Sequence, residues 1–262
     1  MTPVLVFDLE TVPDVDGLRR LKGHGADVSD AEVAALALAE REAKTGRDFM
    51  PLHLQRIVAI GCVFRDDEGL RVRSLGTSAD HEARLIGDFY KIIDKYTPQL
   101  VSWNGSGFDL PVLHYRSMLH GISSLRYWDT GDDDREFRWN NYLGRYHARH
   151  TDLMDVLAAY QGRSAAPLDE LAKLCGFPGK LGMDGSQVWP TFQQGGIADI
   201  RAYCETDVMN TWLLYCRFQL LRGSLSAAAY QGEIDLARST LQAREETHWQ
   251  QYLAAWPEAP VC

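Results

Sequence analysis

Three places in this sequence hold side chains whose types and spacing suit metal-assisted chemistry. Asp8 and Glu10 follow the apolar run Val4-Leu5-Val6-Phe7 and are separated only by Leu9. Side chains alternate along a strand, so the two carboxylates face one way and Leu9 the other. Acids crowded at the end of a core strand repel each other and are costly to desolvate; a divalent cation between them removes that penalty. Asp109 lies in Asn104-Gly105-Ser106-Gly107-Phe108-Asp109-Leu110-Pro111, past one strand and at the mouth of the next helix. Ligands collect at such strand ends in α/β sheets. Tyr203 and Asp207 are four apart in Tyr203-Cys204-Glu205-Thr206-Asp207, hence on one helix face. Ile200, Val208 and Leu214 turn that face toward the core, where an Asp needs a partner, and a metal is one. Each place also has a plainer reading: an exposed acid pair, a helix N-cap, and a core tyrosine beside an Asp bonded to backbone.

The elements that must position these groups alternate between strand and helix. Val4 to Glu10 reads as a strand buried on both faces. Thr11 to about Asp27 is rich in turn residues, and Ser29-Asp30-Ala31-Glu32 has the form of a capping box opening a helix to Lys44. Residues 14–54 thus form an insertion between two strands. Arg56 to Phe64 is the second strand, and Gly69 to Gly76 is an edge or hairpin partner. A helix over 79–96, a strand over 99–103 and a helix over 110–120 follow. Later come a short helix over 167–175, a Gly-rich loop over 179–189, and long helices over 197–221 and 225–252. Pro257 and Pro260 close a frayed tail. The fold class is α/β. Its first three strands lack a full helix in their closest connection, which favours a mixed sheet.

Composition narrows the function. The 262 residues carry a net charge of −9, which argues against coating long duplex nucleic acid. An acidic body can still grip a few nucleotides through a local basic patch. The segment from Arg135 to His150 offers one: Arg135, Arg138, Arg145 and Arg149 alternate with Phe137, Trp139, Tyr142 and Tyr146. Basic residues among rings suit a single-stranded track, or else the rings pack into the core. Lys180, in the Gly-rich loop, either touches a phosphate or is solvated. The five cysteines lack a C-x-x-C pair, so reduced cytoplasmic thiols are expected, and neither a signal peptide nor a membrane span is.

Taken together, D-x-E, N-x-x-x-F-D-x-P and Y-x-x-x-D, in that order, resemble the tyrosine branch of the DEDD superfamily of 3′–5′ exonucleases. The second motif looks most like the proofreading exonuclease domain of family-B DNA polymerases, in stand-alone form. The resemblance runs from about Thr2 to Leu221. It implies an RNase H-like domain over 1–224, with 225–262 a C-terminal helical extension. It implies that Asp8, Glu10, Asp109 and Asp207 hold two Mg²⁺ or Mn²⁺ ions and that Tyr203 joins them in catalysis. Asn104 and Phe108 match less strictly functional positions of the motif and are candidate substrate contacts. Arg145 and Lys180 are further substrate-binding candidates from the residues alone. Two ions about 4 Å apart would clamp an in-line displacement at phosphorus. Asp8 would bridge them, Glu10 and Asp207 would complete the first site, and Asp109 would hold the second. The implied substrate is the 3′ end of single-stranded nucleic acid, DNA favoured and RNA admitted, and the products are nucleoside 5′-monophosphates. The rivals are a non-catalytic nucleic-acid-binding protein on the same fold and an RNase H-like endonuclease. Oligomeric state is left open.

Overall fold

β1 (Val4–Pro13) is the middle strand of a five-stranded sheet in a computed structural model that describes residues 2–257. Val4 to Phe7 are buried, as a strand covered on both faces requires. β2 (Gln55–Asp66) runs antiparallel to β1, and β3 (Gly69–Ser74) antiparallel to β2. On the other side β4 (Gln99–Ser102) lies parallel to β1, and β5 (His150–Asp152) parallel to β4. The order β3-β2-β1-β4-β5 is the mixed, RNase H-like sheet expected.

Helices cover both faces. α1 (Val15–Lys22) and α2 (Asp30–Thr45) stand between β1 and β2, and α3 (Glu82–Tyr96) joins β3 to β4. α4 (Asp109–His120) and the short α5 (Leu125–Trp128) follow β4. α6 (Leu153–Leu157), α7 (Leu168–Leu174) and α8 (Val188–Gln193) lead from β5 to α9 (Ile197–Leu221). α10 (Ala227–Gln242) and α11 (Thr247–Ala255) come last. The alternation of β1 assigns its faces. Leu5, Phe7 and Leu9 pack with Phe89 and Ile93 of α3 and Leu113 of α4. Val4 and Val6 pack with Val208 and Leu213 of α9, Leu241 of α10 and Trp249 of α11. Asp8 and Glu10 have the parity of Val4 and Val6, so they face α9. That helix is buried nearly all round from Ile200 to Cys216, as a helix sandwiched between a sheet and other helices must be.

Three segments differ from the sequence reading. The turn-rich stretch after Thr11 contains α1: Asp14 caps it by accepting from Gly17 N at 3.0 Å, and Leu18 packs with Val33 and Met50 in a small cluster of the insertion's own. Its glycines disguised it, since Gly17 lies inside the helix and Gly23 ends it at a φ of 72°. The helix expected over 225–252 breaks into α10 and α11. At the break the Arg244 guanidinium leaves the helix path to donate to Val72 O at 3.1 Å. In the Arg135–His150 segment the Phe137 and Tyr142 rings are core. Cys62, Cys175, Cys204 and Cys216 are free, and Pro260 and Cys262, with the expected frayed end, lie outside the described residues. Among the described residues no helix is long and apolar enough to cross a membrane.

His150, the first residue of β5, shares a hydrogen bond with Ser102 Oγ at 2.8 Å inside the sheet. Burial keeps its imidazole neutral and pulls its pKa down to about 4, with the Asp152 charge opposing in part. An unfolded histidine titrates near 6.5, so between these values the unfolded chain binds a proton that the folded chain refuses. Stability therefore falls as pH falls through that window. Between pH 7 and pH 5 the expected loss is about 2 kcal/mol, read as a drop in melting temperature that His150→Asn reduces. Equal slopes in the two proteins would show that the ring titrates normally.

Candidate active site

The three sequence motifs converge at the C-terminal end of β1. Asp8 is partly exposed at the mouth of the site, and Glu10, Asp109, Tyr203 and Asp207 are buried. Immediately after Glu10 the pairing of β1 with β2 slips by one residue. Such a bulge re-aims side chains at the strand end. Asp109 does not serve as the N-cap of α4; Phe108 holds that position. Instead the Asp109 carboxylate crosses to β1, where Oδ1 accepts from Leu9 N at 2.9 Å. Gly105, in the turn before it, lets the chain pass Ser102. A Cβ on Gly105 would stand 2.2 Å from Ser102 Oγ and 3.7 Å from Asp109 Oδ2.

α9 supplies Tyr203 and Asp207 from directly above β1. Its closeness depends on Gly61 of β2, which pairs with Asp8. A Cβ there would lie 2.9 Å from Cys204 O and 2.8 Å from Cys204 Sγ. The Cys204 thiol fills the space, accepting from Gly61 N at 3.1 Å and donating to Asp8 O at 3.4 Å. Asp8, Glu10 and Cys204 each offer one ligand atom within 4.8 Å of the others. Burial, then the charges of Asp8, Glu10 and Asp207, push the thiol pKa well up, so sulfur stays protonated and the anionic donors are oxygens. Replacing Gly61 by Val should lift α9 from the sheet and move Asp207 away from Asp8. A displacement near 1 Å costs on the order of 10²-fold in turnover, so kcat/KM of Gly61→Val should fall by that factor. Unchanged turnover would mean that the close contact is not needed.

The acids are out of balance. Burial first, then the Asp207 charge, raises the Asp8 pKa to about 7. Burial and the Asp8 charge push Glu10 and Asp109 well above the usual carboxylate range. Asp207 is raised as well, chiefly by burial, although Lys180 opposes the shift. One oxygen of Asp207, Oδ2, is 2.7 Å from Lys180 Nζ, while the other, Oδ1, is buried with no hydrogen-bond partner among the described residues. An unpaired buried carboxylate oxygen is expensive, and a cation relieves it. The donor set is hard, anionic oxygen, which fits Mg²⁺ or Mn²⁺.

Lys180 is part-buried and reaches the acids. Its ammonium pairs with Asp207 and donates to the Tyr203 hydroxyl. The loop is fixed from α9: Gly179 N donates to Asn210 Oδ1 at 3.2 Å, and Asn210 Nδ2 donates back to Gly179 O at 2.9 Å. Tyr252 of α11 donates to the same Asn210 Oδ1 at 2.7 Å, which ties the C-terminal helices to the site. Asn104 forms the turn before Asp109, with a φ of 64° and its carbonyl accepting from Gly107 N and Phe108 N. Phe108 lies against Phe49 of the insertion, ring centroids 5.7 Å apart. Arg145 does not join the acids; it pairs with Asp155 at 3.0 Å. Asp152 is a scaffold for the turn, accepting from Asn104 N and Ser106 N at 2.9 Å each.

Residues 47–256 match a family described as a predicted 3′-5′ exonuclease related to the exonuclease domain of PolB. The chain belongs to that family. No curated protein matches the chain. The matched span of this PolB-related exonuclease family includes Asp109, Lys180, Tyr203 and Asp207 and extends through α10 and α11. Asp8 and Glu10 precede it, and they enter the site through the pairing of β1 with β2 and β4.

Proposed function

We propose that the chain is a metal-dependent 3′–5′ exonuclease. It hydrolyses single-stranded nucleic acid, DNA favoured, from the 3′ end. The observation that carries this reading is Asp207 Oδ1, a buried oxygen with no hydrogen-bond partner among the described residues, close to Asp8 and Glu10. Asp8, Glu10, Asp109 and Asp207 would hold two Mg²⁺ or Mn²⁺ ions. Bound there, divalent cations supply charge neutralisation at the phosphate and a lowered pKa for water.

The protein's own groups do the rest. Tyr203 is protonated, because burial and then the charges of Asp207, Glu10 and Asp8 push its pKa above the usual tyrosine value. Its hydroxyl orients the attacking water rather than removing a proton. Lys180 places a positive charge beside Asp207 and Tyr203, where charge develops on the phosphate. Burial lowers its pKa, but Asp207 and then the other acids outweigh that, so it stays charged. As the water oxygen bonds to phosphorus, the bond to the 3′ oxygen breaks. The water's proton goes to solvent, and the 3′ oxygen takes one up. A nucleoside 5′-monophosphate departs.

The test is a single strand labelled at its 5′ end, with Mg²⁺ or Mn²⁺, with and without EDTA, beside a circular strand. A ladder shortening from the 3′ end, stopped by EDTA and absent on the circle, is the expected result. No degradation in either metal, or a cut circle, would overturn the reading.

A further inference from the structure

The turn that carries Asp109 also borders a second groove, and that groove is aromatic. Gly105 stands against Asp109, while Ser106 lines a cavity of about 180 Å³ with Arg145, Tyr146, Tyr160 and Arg222. Asp152 bonds the turn to this wall through Asn104 N and Ser106 N. Tyr146 is 76% exposed, so its ring is not part of the core. It meets the Tyr160 ring edge-on, at 4.9 Å between centroids and 75° between planes. The Arg145 guanidinium lies 5.0 Å from the Tyr160 centroid. Arg222 has no ion-pair partner among the described residues and lies over Phe218 at 5.7 Å.

The backbone under Tyr160 is unusual. Ala159 and Tyr160 both have positive φ, 49° and 60°. Two successive L-residues in the left-handed region are disfavoured, and such strain concentrates where a side chain must be presented in a set direction. Here it holds the Tyr160 ring against Tyr146 and beneath Arg145. Of the other rings of the basic segment, Phe137 and Tyr142 are buried among Tyr127 and Phe89 and cannot stack on a ligand, while Trp139 is exposed but does not line this cavity.

We propose that Tyr146 and Tyr160 form a stacking platform for an unpaired nucleobase, with Arg145 and Arg222 as phosphate contacts. The base belongs to the strand whose 3′ end lies at the acids, so the proposal rests on the exonuclease reading. The chemistry favours single-stranded nucleic acid over other ligands. Every base offers a π-face, a guanidinium stacks beside it, and the two arginines supply local positive charge on an acidic protein. Asp155, which now holds Arg145, would release it to a phosphate.

The full chain is titrated in EDTA with a fluorescent single strand, and affinity is read by anisotropy for wild type, Tyr146→Phe and Tyr146→Ala. Tyr146 is exposed, so neither change should disturb folding; circular dichroism checks this. Losing one stacking ring costs on the order of 10–100-fold in affinity. The expected result is that loss in Tyr146→Ala, with binding kept in Tyr146→Phe. A matching rise in KM for a long strand, with kcat kept, should accompany it in Mn²⁺. If wild type degrades the strand and Tyr146→Ala binds it equally well, the platform is overturned and the exonuclease stands. If wild type binds the strand, loses it on Tyr146→Ala and degrades nothing in either metal, the platform stands and the exonuclease reading falls. Wild type that binds no strand overturns the platform.

Discussion

Glu10→Gln should lower turnover by on the order of 10³-fold or more and, at the same time, raise the melting temperature of the metal-free protein. The two effects share one cause. Glu10 is buried beside Asp8, Asp207 and Asp109, and burial followed by the Asp8 and Asp207 charges drives its pKa well up. Lys180 opposes this, but it is already paired with Asp207. Without a cation, the folded chain therefore contains carboxylates that repel one another. Glutamine has nearly the same shape and no charge, so it removes repulsion without opening a cavity. For a chain of this length each kcal/mol relieved is worth ~2–4 °C. On the proposed reading, the same change removes an anionic ligand. Metal stabilisation of transition-state charge is worth several kcal/mol, and each 1.36 kcal/mol is a factor of ten. Mn²⁺ should raise the melting temperature of wild type by mass action and that of Glu10→Gln much less. Calorimetry with and without Mn²⁺, beside a nuclease assay, checks all three. A variant that melts lower than wild type without metal would mean that Glu10 stabilises the fold as it stands.

How far the sequence foretold this site depends on the kind of spacing involved. Asp8 and Glu10 were legible because strand alternation fixes their common face. Tyr203 and Asp207 were legible because a helix returns to the same face after four residues. The mixed sheet was legible from β2 and β3, which follow one another without a helix and so pair antiparallel, although α1 and α2 stand between β1 and β2. Lys180 was harder to place. It comes 23 residues before Tyr203 in a loop with no periodicity, and only the bonds from Gly179 to Asn210 bring it to Asp207. Asn210 itself gave a faint signal, a polar residue one helical turn after Asp207 in a stretch that ends in Trp212-Leu213-Leu214. Cys204 gave none, since a cysteine on an inward stripe looks like any small core residue. Its place over Gly61 depends on how closely α9 approaches β2, a distance no local pattern encodes. α1 was hidden by its own glycines. In the basic segment, alternating rings and arginines could not reveal that Phe137 and Tyr142 turn inward while Tyr146 turns out.

Tyr203→Phe should separate the hydroxyl from the ring that carries it. The ring packs with Val12, Ala59 and Val188, contacts that phenylalanine keeps, so melting temperature should change little. The hydroxyl sits between the Lys180 ammonium and the acids, and it is protonated with or without that environment, because even an exposed tyrosine titrates near 10. It can orient a water, and it cannot act as a base at neutral pH. Losing a group that positions a proton costs on the order of 10²–10⁴-fold. If, as proposed, the hydroxyl acts on the attacking water and holds no part of the strand, the loss should fall on kcat, with KM for the single strand kept. It should also be smaller than that of Glu10→Gln, since Tyr203→Phe leaves every carboxylate in place and the Mn²⁺-dependent gain in melting temperature intact. Single-turnover rates for both variants, with the Mn²⁺ shift measured beside them, decide the matter. If Tyr203→Phe keeps wild-type kcat, the attacking water is oriented by something else. Lys180, the neighbour that donates to the hydroxyl, is then the group to change next.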